Sequence, residues 1–248
     1  MLHVLFFLGG LIVGSFLNVV ICRLPAGDSL VLPASLCPEC RQRLAWYELV
    51  PVLSYLWQRG KCRHCGTAIS LQYPLVELAT GAAYLGLFLL LGLQPKLLTS
   101  LMFISLCIPI VVIDLDRQII PDQLNLGGAV LGLLAAAVSH TAFTDVLAGG
   151  LAGGVIMLLI AIVSRGGMGG GDIKMMAWIG LFLGLKMTML ALFLSFVIGG
   201  LASLILILAG RKRRKDFIPF GPFLAAGGFT AYVFGPAILA WYVQNFLH

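Results

Sequence analysis

Two aspartates, Asp114 and Asp172, each lie where a long apolar run meets a polar segment. Asp114 closes the apolar run that begins at Leu97, and Asp172 follows the glycine-rich sequence 168–171. An ionisable side chain at the edge of a membrane segment is costly and therefore usually functional. Two carboxylates held close together cannot both ionise, so one can donate a proton while the other accepts one from an attacking water. The pair predicts general acid–base hydrolysis without a covalent intermediate, and either aspartate could be the acid.

Residues beside these aspartates are predicted to support them. Asp116 and Asp122 follow Asp114 in a polar loop, and for them a solvated ion pair is as good an explanation as a functional role. Gly169 and Gly171 remove side chains, so that an extended substrate backbone could approach Asp172. At the start of a helix, this carboxylate would also face the positive end of the helix dipole. The simpler alternative is an N-cap aspartate after a flexible glycine linker.

Glu77 and Lys174 complete the predicted set of supporting side chains. Glu77 falls inside a predicted membrane helix, where an acidic group needs a partner or a path to water. Lys174 and Arg23 are both candidates for that partner, and the sequence does not choose between them.

Four of the six cysteines form two CxxC pairs in one basic, polar segment. Cys37 and Cys40 make the first pair, and Cys62 and Cys65 make the second after 21 intervening residues. Two such pairs are typical of tetrahedral Zn²⁺ bound by thiolates, and closed four-sulfur sites are structural. A redox-active dithiol is the alternative function, and His64 could replace one thiolate as a ligand.

The elements that must position these residues are membrane helices. Of the 248 residues, 60% are hydrophobic and only 10% are charged, against about 25% charged in an ordinary soluble domain. Runs of about 20 apolar residues are long enough to cross a bilayer as helix. We therefore predict an all-α polytopic membrane protein with about eight transmembrane helices, over residues 4–21, 73–93, 97–113, 123–139, 146–163, 173–186, 187–209 and 223–246.

The distribution of basic residues predicts the orientation of these helices. Six Arg and Lys lie between Arg23 and Arg63, and five more form the run from Arg211 to Lys215. The positive-inside rule places both segments in the cytoplasm and the N-terminus on the opposite side of the membrane. If successive helices cross the membrane in alternating directions from that end, Asp114 and Asp172 both lie at the cytoplasmic face. The basic run is better explained as a topology anchor in contact with lipid than as a nucleic-acid site.

This topology predicts three regions. Residues 1–21 form the first transmembrane helix, and residues 22–72 form a cytoplasmic zinc-binding loop. Residues 73–248 form a transmembrane domain that carries the aspartate pair.

Several sequence stretches occur in an order that resembles a known family. They are the segments 14–25, 51–56 and 69–77, the twin CxxC loop, the loop 114–122, the GxGD sequence 169–174, and Phe220-Gly221-Pro222-Phe223. Together they resemble the type IV prepilin peptidases, bifunctional enzymes of the bacterial inner membrane. The resemblance implies cleavage of the leader of prepilins or type II secretion pseudopilins, and methylation of the new N-terminus with S-adenosylmethionine. It places catalysis on Asp114 and Asp172 and zinc on the four cysteines, but it confines the methyl-donor site only to the region 14–77.

Two other functions are compatible with parts of this pattern. A transporter or channel could use Glu77, Asp114 and Asp172 as a cation path, although such a path should distribute acidic groups across the bilayer depth. A GxGD protease of the presenilin or archaeal preflagellin type would share the aspartates but lack the twin CxxC loop. The sequence does not predict the oligomeric state or the particular pilin substrate.

Overall fold

The computed structural model describes residues 1–138, 141–164, 167–211, 213 and 216–246. Parts of the predictions fall outside these residues: the end of one helix at Ser139, Gly166 just before the glycine-rich sequence 168–171, and Lys212, Arg214 and Lys215 of the basic run. Within the described residues the α-helices are α1 (Leu2–Arg23), α2 (Leu53–Trp57), α3 (Gln72–Leu91), α4 (Pro95–Arg117), α5 (Asp122–Val138), α6 (Phe143–Val163), α7 (Gly170–Leu208) and α8 (Gly221–Phe246).

The all-α polytopic class is confirmed. Among the described residues, six helices are long and apolar enough to cross a membrane, and α5 is a shorter apolar helix. Helix α7 has 39 residues, or about 58 Å at 1.5 Å per residue, roughly twice the thickness of a hydrocarbon core. It is broken at Gly184, which has φ 71° and ψ 171°. The two halves of α7 are the two helices predicted over 173–186 and 187–209, with the break two residues earlier.

The end of α4 corrects one predicted boundary. The apolar run was expected to end at Ile113, with Asp114 opening a loop, but the helix continues to Arg117. The polar residues at this end are compatible with helix, and Arg117 in the last turn is favoured by the negative end of the helix dipole. Gln118, at φ 56°, then ends the helix. Asp114 therefore projects from a helix rather than from a flexible loop.

The chain divides into two compact units, Met1–Pro109 and Ile110–His248. In the first unit α1 packs on α3. A Cβ placed on Gly10 would lie 2.7 Å from the Cα of Gly81, and one on Gly14 would lie 2.7 Å from the Cα of Glu77. Small residues spaced four apart thus let the two helix backbones approach closely, as is common between membrane helices.

The second unit is built around α7, which packs against α5, α6 and α8. A Cβ on Gly180 of α7 would lie 2.3 Å from the carbonyl oxygen of Gly149 on α6. Gly128 of α5 lies against the ring of Trp178, whose Nε1 donates a hydrogen bond of 3.2 Å to Asn125. This packing fixes the beginning of α7, where Asp172 is located.

Between α1 and α3 the chain forms the extramembrane segment 24–71. It contains two 3₁₀ turns, Leu24–Ala26 and Trp46–Leu49, and the short helix α2. Each CxxC pair is flanked by two residues that form an isolated antiparallel bridge. The bridge joins Leu36 to Arg43 around the first pair and Lys61 to Ala68 around the second.

Candidate active site and metal centre

Asp114 is held by the beginning of α8. Its side chain is buried, with the residue 4% exposed, and its Oδ2 accepts a 2.9 Å hydrogen bond from the backbone N–H of Gly221. The first N–H groups of a helix have no partner within the helix, so they are available to a carboxylate. A Cβ on Gly221 would lie 2.7 Å from that same oxygen. Only glycine at this position allows the carboxylate to approach so closely.

Asp172 is the third residue of α7 and is also buried, at 5% exposed. Its Oδ2 accepts a 3.1 Å hydrogen bond from the backbone N–H of Gly169, so its carboxylate caps the N-terminus of its own helix. Asp114 is close enough to act on Asp172 electrostatically. The two aspartates, 58 positions apart in the chain, are therefore near enough to interact, and each carboxylate lies at a helix N-terminus.

The three glycines before Asp172 face different surroundings. A Cβ on Gly171 would lie 2.9 Å from the Cβ of Ile120, whereas one on Gly170 would meet nothing within 4 Å. A Cβ on Gly169 would lie 3.3 Å from Asp172 Oδ2. Gly171 thus lets the segment after α4 pack on the start of α7, a packing role that differs from the predicted approach of a substrate backbone.

The other acidic residues of this region are exposed and paired. Asp116 Oδ2 lies 3.5 Å from Arg117 Nε. Lys174 Nζ lies 2.7 Å from Asp122 Oδ1, with both side chains more than half exposed. Exposed ion pairs of this kind contribute about 0–1 kcal/mol. The pairs of Asp116 and Asp122 therefore match the solvated ion pairs that were the alternative to a functional role for these two residues.

Glu77 has a partner that was not predicted. Its Oε2 accepts a 2.7 Å hydrogen bond from the backbone N–H of Val52. Of the two predicted partners, Lys174 is paired with Asp122, and the guanidinium of Arg23 donates to backbone carbonyls of the following loop. Glu77 therefore ties α3 to the extramembrane segment rather than neutralising a cation.

The four cysteine sulfurs form a cluster that fits a metal ion. Their Sγ atoms all lie within 4.8 Å of one another, and those of Cys37 and Cys65 are 3.8 Å apart. A tetrahedral zinc site with Zn–S bonds of about 2.3 Å has S···S edges of about 3.8 Å. His64 lies outside the cluster, with its Nε2 3.9 Å from Glu48 Oε1.

The two CxxC pairs have the same local geometry. The N–H of Cys37 donates to the carbonyl of Gln42 and that of Cys62 to the carbonyl of Thr67, each five residues along the chain. In each loop the residue after the second cysteine has a positive φ, 56° at Arg41 and 76° at Gly66. Each pair therefore forms a tight turn with both thiols on one side.

Without a bound cation, the thiols of the cluster differ widely in pKa. Hydrogen bonding to the side chain and backbone of Thr67 lowers the pKa of the Cys65 thiol to about 6. For Cys40 the backbone of Gln42 lowers the pKa, but desolvation and hydrogen bonds to the other sulfurs outweigh it and raise the pKa to about 11. Four thiols this close do not all become thiolates unless a cation compensates their charge. A coordinated metal ion supplies that charge.

The structure adds residues to which the sequence pattern had given no role. Gly221 belongs to a Gly-Pro pair before an apolar run, which is a recognisable helix start, but nothing local indicates that its N–H faces Asp114. Glu48 and Asn18 are buried polar residues of the first unit. Burial of single polar residues depends on tertiary packing and leaves no local signal.

The fold and the two sites define a polytopic helical membrane protein with a buried aspartate pair and a four-cysteine cluster. Residues 8–91 match the Bacterial Peptidase A24 N-terminal domain, and residues 101–204 match the Type IV leader peptidase family. The chain belongs to the type IV leader peptidase family.

Curated relatives match almost the whole chain. A "Prepilin leader peptidase/N-methyltransferase" of Bacillus subtilis (strain 168) is 40% identical over 247 residues, covering 98% of each chain. A protein of the same name from Aeromonas hydrophila is 35% identical over 276 residues, covering 98% of this chain and 94% of the relative. No solved structure matches the chain.

Proposed function

We propose that this protein is a membrane aspartic endopeptidase that removes the leader from type IV prepilins or type II secretion pseudopilins and then N-methylates the new N-terminus. The observation that carries the peptidase assignment is the placement of Asp114 and Asp172 at two helix N-termini, buried and within electrostatic range of each other. The relatives named prepilin leader peptidase/N-methyltransferase support both activities.

In the proposed cleavage, one aspartate is protonated and donates to the oxygen of the scissile carbonyl. The other is ionised and takes a proton from the water that attacks the carbonyl carbon. The backbone N–H groups of Gly221 and Gly169 hold the two carboxylates in place. When the C–N bond breaks, the proton taken from water passes to the leaving amine, and the first aspartate recovers its proton from a hydroxyl of the tetrahedral intermediate as the carbonyl re-forms.

The proposed methylation needs a bound methyl donor. S-adenosylmethionine supplies a methyl group to the free amine, with an N–C bond forming as the S–C bond breaks and a proton leaving the nitrogen. The four cysteines Cys37, Cys40, Cys62 and Cys65 are proposed to bind structural Zn²⁺, which folds the segment 24–71. The metal has no part in hydrolysis, because four thiolates leave no open coordination position.

The proposed location is the bacterial inner membrane, with the N-terminus in the periplasm and the aspartate pair at the cytoplasmic side. The six basic residues from Arg23 to Arg63 support this orientation. A leader that is removed before export of the mature pilin would be accessible from that side.

The alternative transporter or channel function lacks support. The matches to leader peptidases extend over nearly the full chain. Glu77 is bonded to a backbone N–H of the extramembrane segment.

The test uses purified protein, a prepilin substrate and a labelled methyl donor, with the mature N-terminus read by mass spectrometry. Asp114→Asn and Asp172→Asn should each reduce leader cleavage by at least about 10⁴-fold, since either change removes one member of an acid–base pair. Asp28→Asn, at an exposed aspartate of the extramembrane segment, is the matched control and should cut at the normal rate. Normal cleavage by either site variant would refute the dyad.

A further inference from the structure

The short helix α2 presents its apolar side chains outward. Leu53, Leu56 and Trp57 are 64%, 64% and 85% exposed. Their spacing, i, i+3 and i+4, places them on one face of the helix. The other two residues of α2, Ser54 and Tyr55, are half-buried and line a cavity inside the first unit. A helix on a water-soluble domain has the opposite arrangement, because burial of its apolar face stabilises it. The outward face of α2 therefore indicates an apolar partner.

The position of α2 along α3 shows which partner is within reach. The N–H of Val52, the residue before α2, donates a 2.7 Å hydrogen bond to Oε2 of Glu77. Glu77 is five residues after Gln72, the first residue of α3, which corresponds to about 7.5 Å at 1.5 Å per residue. Side chains of a helix lean towards its N-terminus, so Val52 lies beside the first two turns of α3. Helix α2 thus begins alongside a membrane helix and not beyond its end.

The first two turns of α3 lie at the boundary of the membrane. Helix α1 ends at Arg23, and the sulfur of Cys22 lies 3.5 Å from the hydroxyl oxygen of Tyr73, so the ends of the two membrane helices are level. Basic residues and tyrosines are typical of the interface between lipid and water. In these turns α3 also exposes Leu75 and Leu78, as a helix that faces lipid does. The start of α2 is therefore at the depth of the lipid headgroups.

A strained turn holds α2 at this depth. Val52 has φ 63° and ψ −49°, and the N–H of Leu53 bonds to the carbonyl of Pro51 at 2.6 Å, which closes a γ-turn. That conformation is rare and costly for a β-branched residue. Such strain persists only where the surroundings impose it, and the buried carboxylate of Glu77 binds the N–H of this same residue. Glu77 is therefore a positioning residue for α2.

The residues that follow α2 carry positive charge. Residues 49–71 contain Arg59, Lys61 and Arg63 but neither Asp nor Glu, and all three cations are exposed. Long basic side chains can extend from an apolar environment to the phosphates of lipid headgroups. An apolar helix face combined with exposed cations is typical of a segment that lies in the membrane interface.

We propose that α2 is an interfacial membrane anchor. Leu53, Leu56 and Trp57 insert among the phospholipids of the leaflet beside the start of α3, while Arg59 and Lys61 contact anionic phosphates. The tryptophan ring, with an apolar body and one N–H donor, favours this boundary. The anchor holds the extramembrane segment 24–71 against the bilayer. It depends on the membrane location of the chain and not on the peptidase or methyltransferase activity.

The first test locates Trp57 relative to lipid in the full-length protein, labelled with 5-fluorotryptophan and placed in phospholipid nanodiscs. The variants Trp57→Phe and Trp241→Phe assign the two ¹⁹F resonances. A nitroxide on the lipid acyl chain near the headgroup should broaden Trp57 as strongly as Trp241, which is exposed on the membrane helix α8. A water-soluble gadolinium chelate should broaden Trp57 at least about fivefold less than free 5-fluorotryptophan, because an inserted ring is shielded from water.

Two outcomes of this measurement would overturn the proposal. If the soluble chelate broadens Trp57 like the free amino acid and the lipid nitroxide does not broaden it, α2 lies in water. If Trp57 becomes shielded from the chelate only after a prepilin is added, the apolar face binds protein and not lipid.

The second test places a charge on the inserted face. In nanodiscs that contain anionic phosphatidylglycerol, Leu56→Glu should raise the rate of trypsin cleavage after Arg59 and Lys61 at least about tenfold, because a carboxylate at this depth opposes insertion. Leu32→Glu, at an exposed leucine of the same segment outside α2, is the matched control and should be cut at the wild-type rate. Equal cleavage of Leu56→Glu and the wild type would refute insertion.

The lipid composition tests the contact with headgroups. The wild-type protein should be cut after Arg59 and Lys61 more slowly in nanodiscs with phosphatidylglycerol than in nanodiscs of neutral phosphatidylcholine alone, since anionic lipids attract these side chains. Equal rates in the two lipids would refute the contact with anionic phosphates. The ¹⁹F measurement needs no charged variant, so it decides the proposal even if Leu56→Glu does not fold.

Discussion

Substitution of Gly221 by alanine should displace the Asp114 carboxylate without removing any functional group. The added Cβ would lie 2.7 Å from Asp114 Oδ2 and 3.2 Å from its Cγ. To reach ordinary contact at 3.4 Å, the carboxylate or the start of α8 must move by about 0.7 Å. The N–H of residue 221 remains, but its hydrogen bond to Asp114 lengthens or bends.

The expected loss follows from this displacement. A misplacement of about 1 Å in a catalytic constellation costs about 100-fold in rate, and weakening a hydrogen bond to a charged group costs about 1.5–3 kcal/mol, or about ten- to 150-fold. We therefore expect Gly221→Ala to lower kcat for leader cleavage by about ten- to 100-fold. KM should change little, because the residue holds a reacting group and not the substrate.

The assay is steady-state cleavage of a prepilin in detergent or lipid nanodiscs, with thermal unfolding recorded for each variant. Gly200→Ala is the matched control, since a Cβ there meets nothing within 4 Å, and alanine is a better helix former than glycine. Its kcat and its unfolding temperature should equal or exceed those of the wild type. If Gly221→Ala cleaves within about threefold of the wild type, then the start of α8 does not position a catalytic Asp114.

Three further predictions concern other parts of the chain. Gly171→Ala brings a Cβ to 2.9 Å from that of Ile120 and should reduce leader cleavage more than tenfold. Gly170→Ala places its Cβ in open space, so its cleavage rate should stay within about threefold of the wild type. Equal effects of the two variants would contradict the packing of Gly171 on Ile120. Gly184→Ala should lower the unfolding temperature. Its backbone angles, φ 71° with ψ 171°, cost a residue other than glycine about 1–3 kcal/mol, and the added Cβ would collide with the carboxylate of Asp145. An unchanged unfolding temperature would show that α7 can straighten or shift at this position. Removal of zinc by a chelator, or its release at acid pH as the thiolates are protonated, should unfold the segment 24–71 while the membrane helices stay folded. Limited proteolysis and circular dichroism on one sample measure the two effects, and a segment that stays protected from protease would show that the metal does not fold it.

The sequence by itself determined the class of protein and most of its helices. Length and apolarity of a segment are local properties, and a bilayer imposes a minimum on both. Within the described residues, the eight predicted membrane helices therefore correspond to seven helices, of which α7 is broken at Gly184 into the two that were predicted there. The cysteine cluster was predictable for a similar reason. Each CxxC pair is a local turn, and a single contact between the two turns brings all four sulfurs together.

The tertiary structure decided how the aspartates are held and which buried polar groups have a hydrogen-bond partner. The backbone N–H that binds Asp114 belongs to Gly221, 107 residues along the chain, and the partner of Glu77 is the N–H of Val52, not a lysine or an arginine. Backbone N–H groups are the same in every residue except proline, so the sequence does not reveal which of them will meet a carboxylate. The free acceptors of Asn18 and Glu48 became visible only once their surroundings were known. Residue types predict what chemistry is available, but packing decides which groups are buried and which of these are paired.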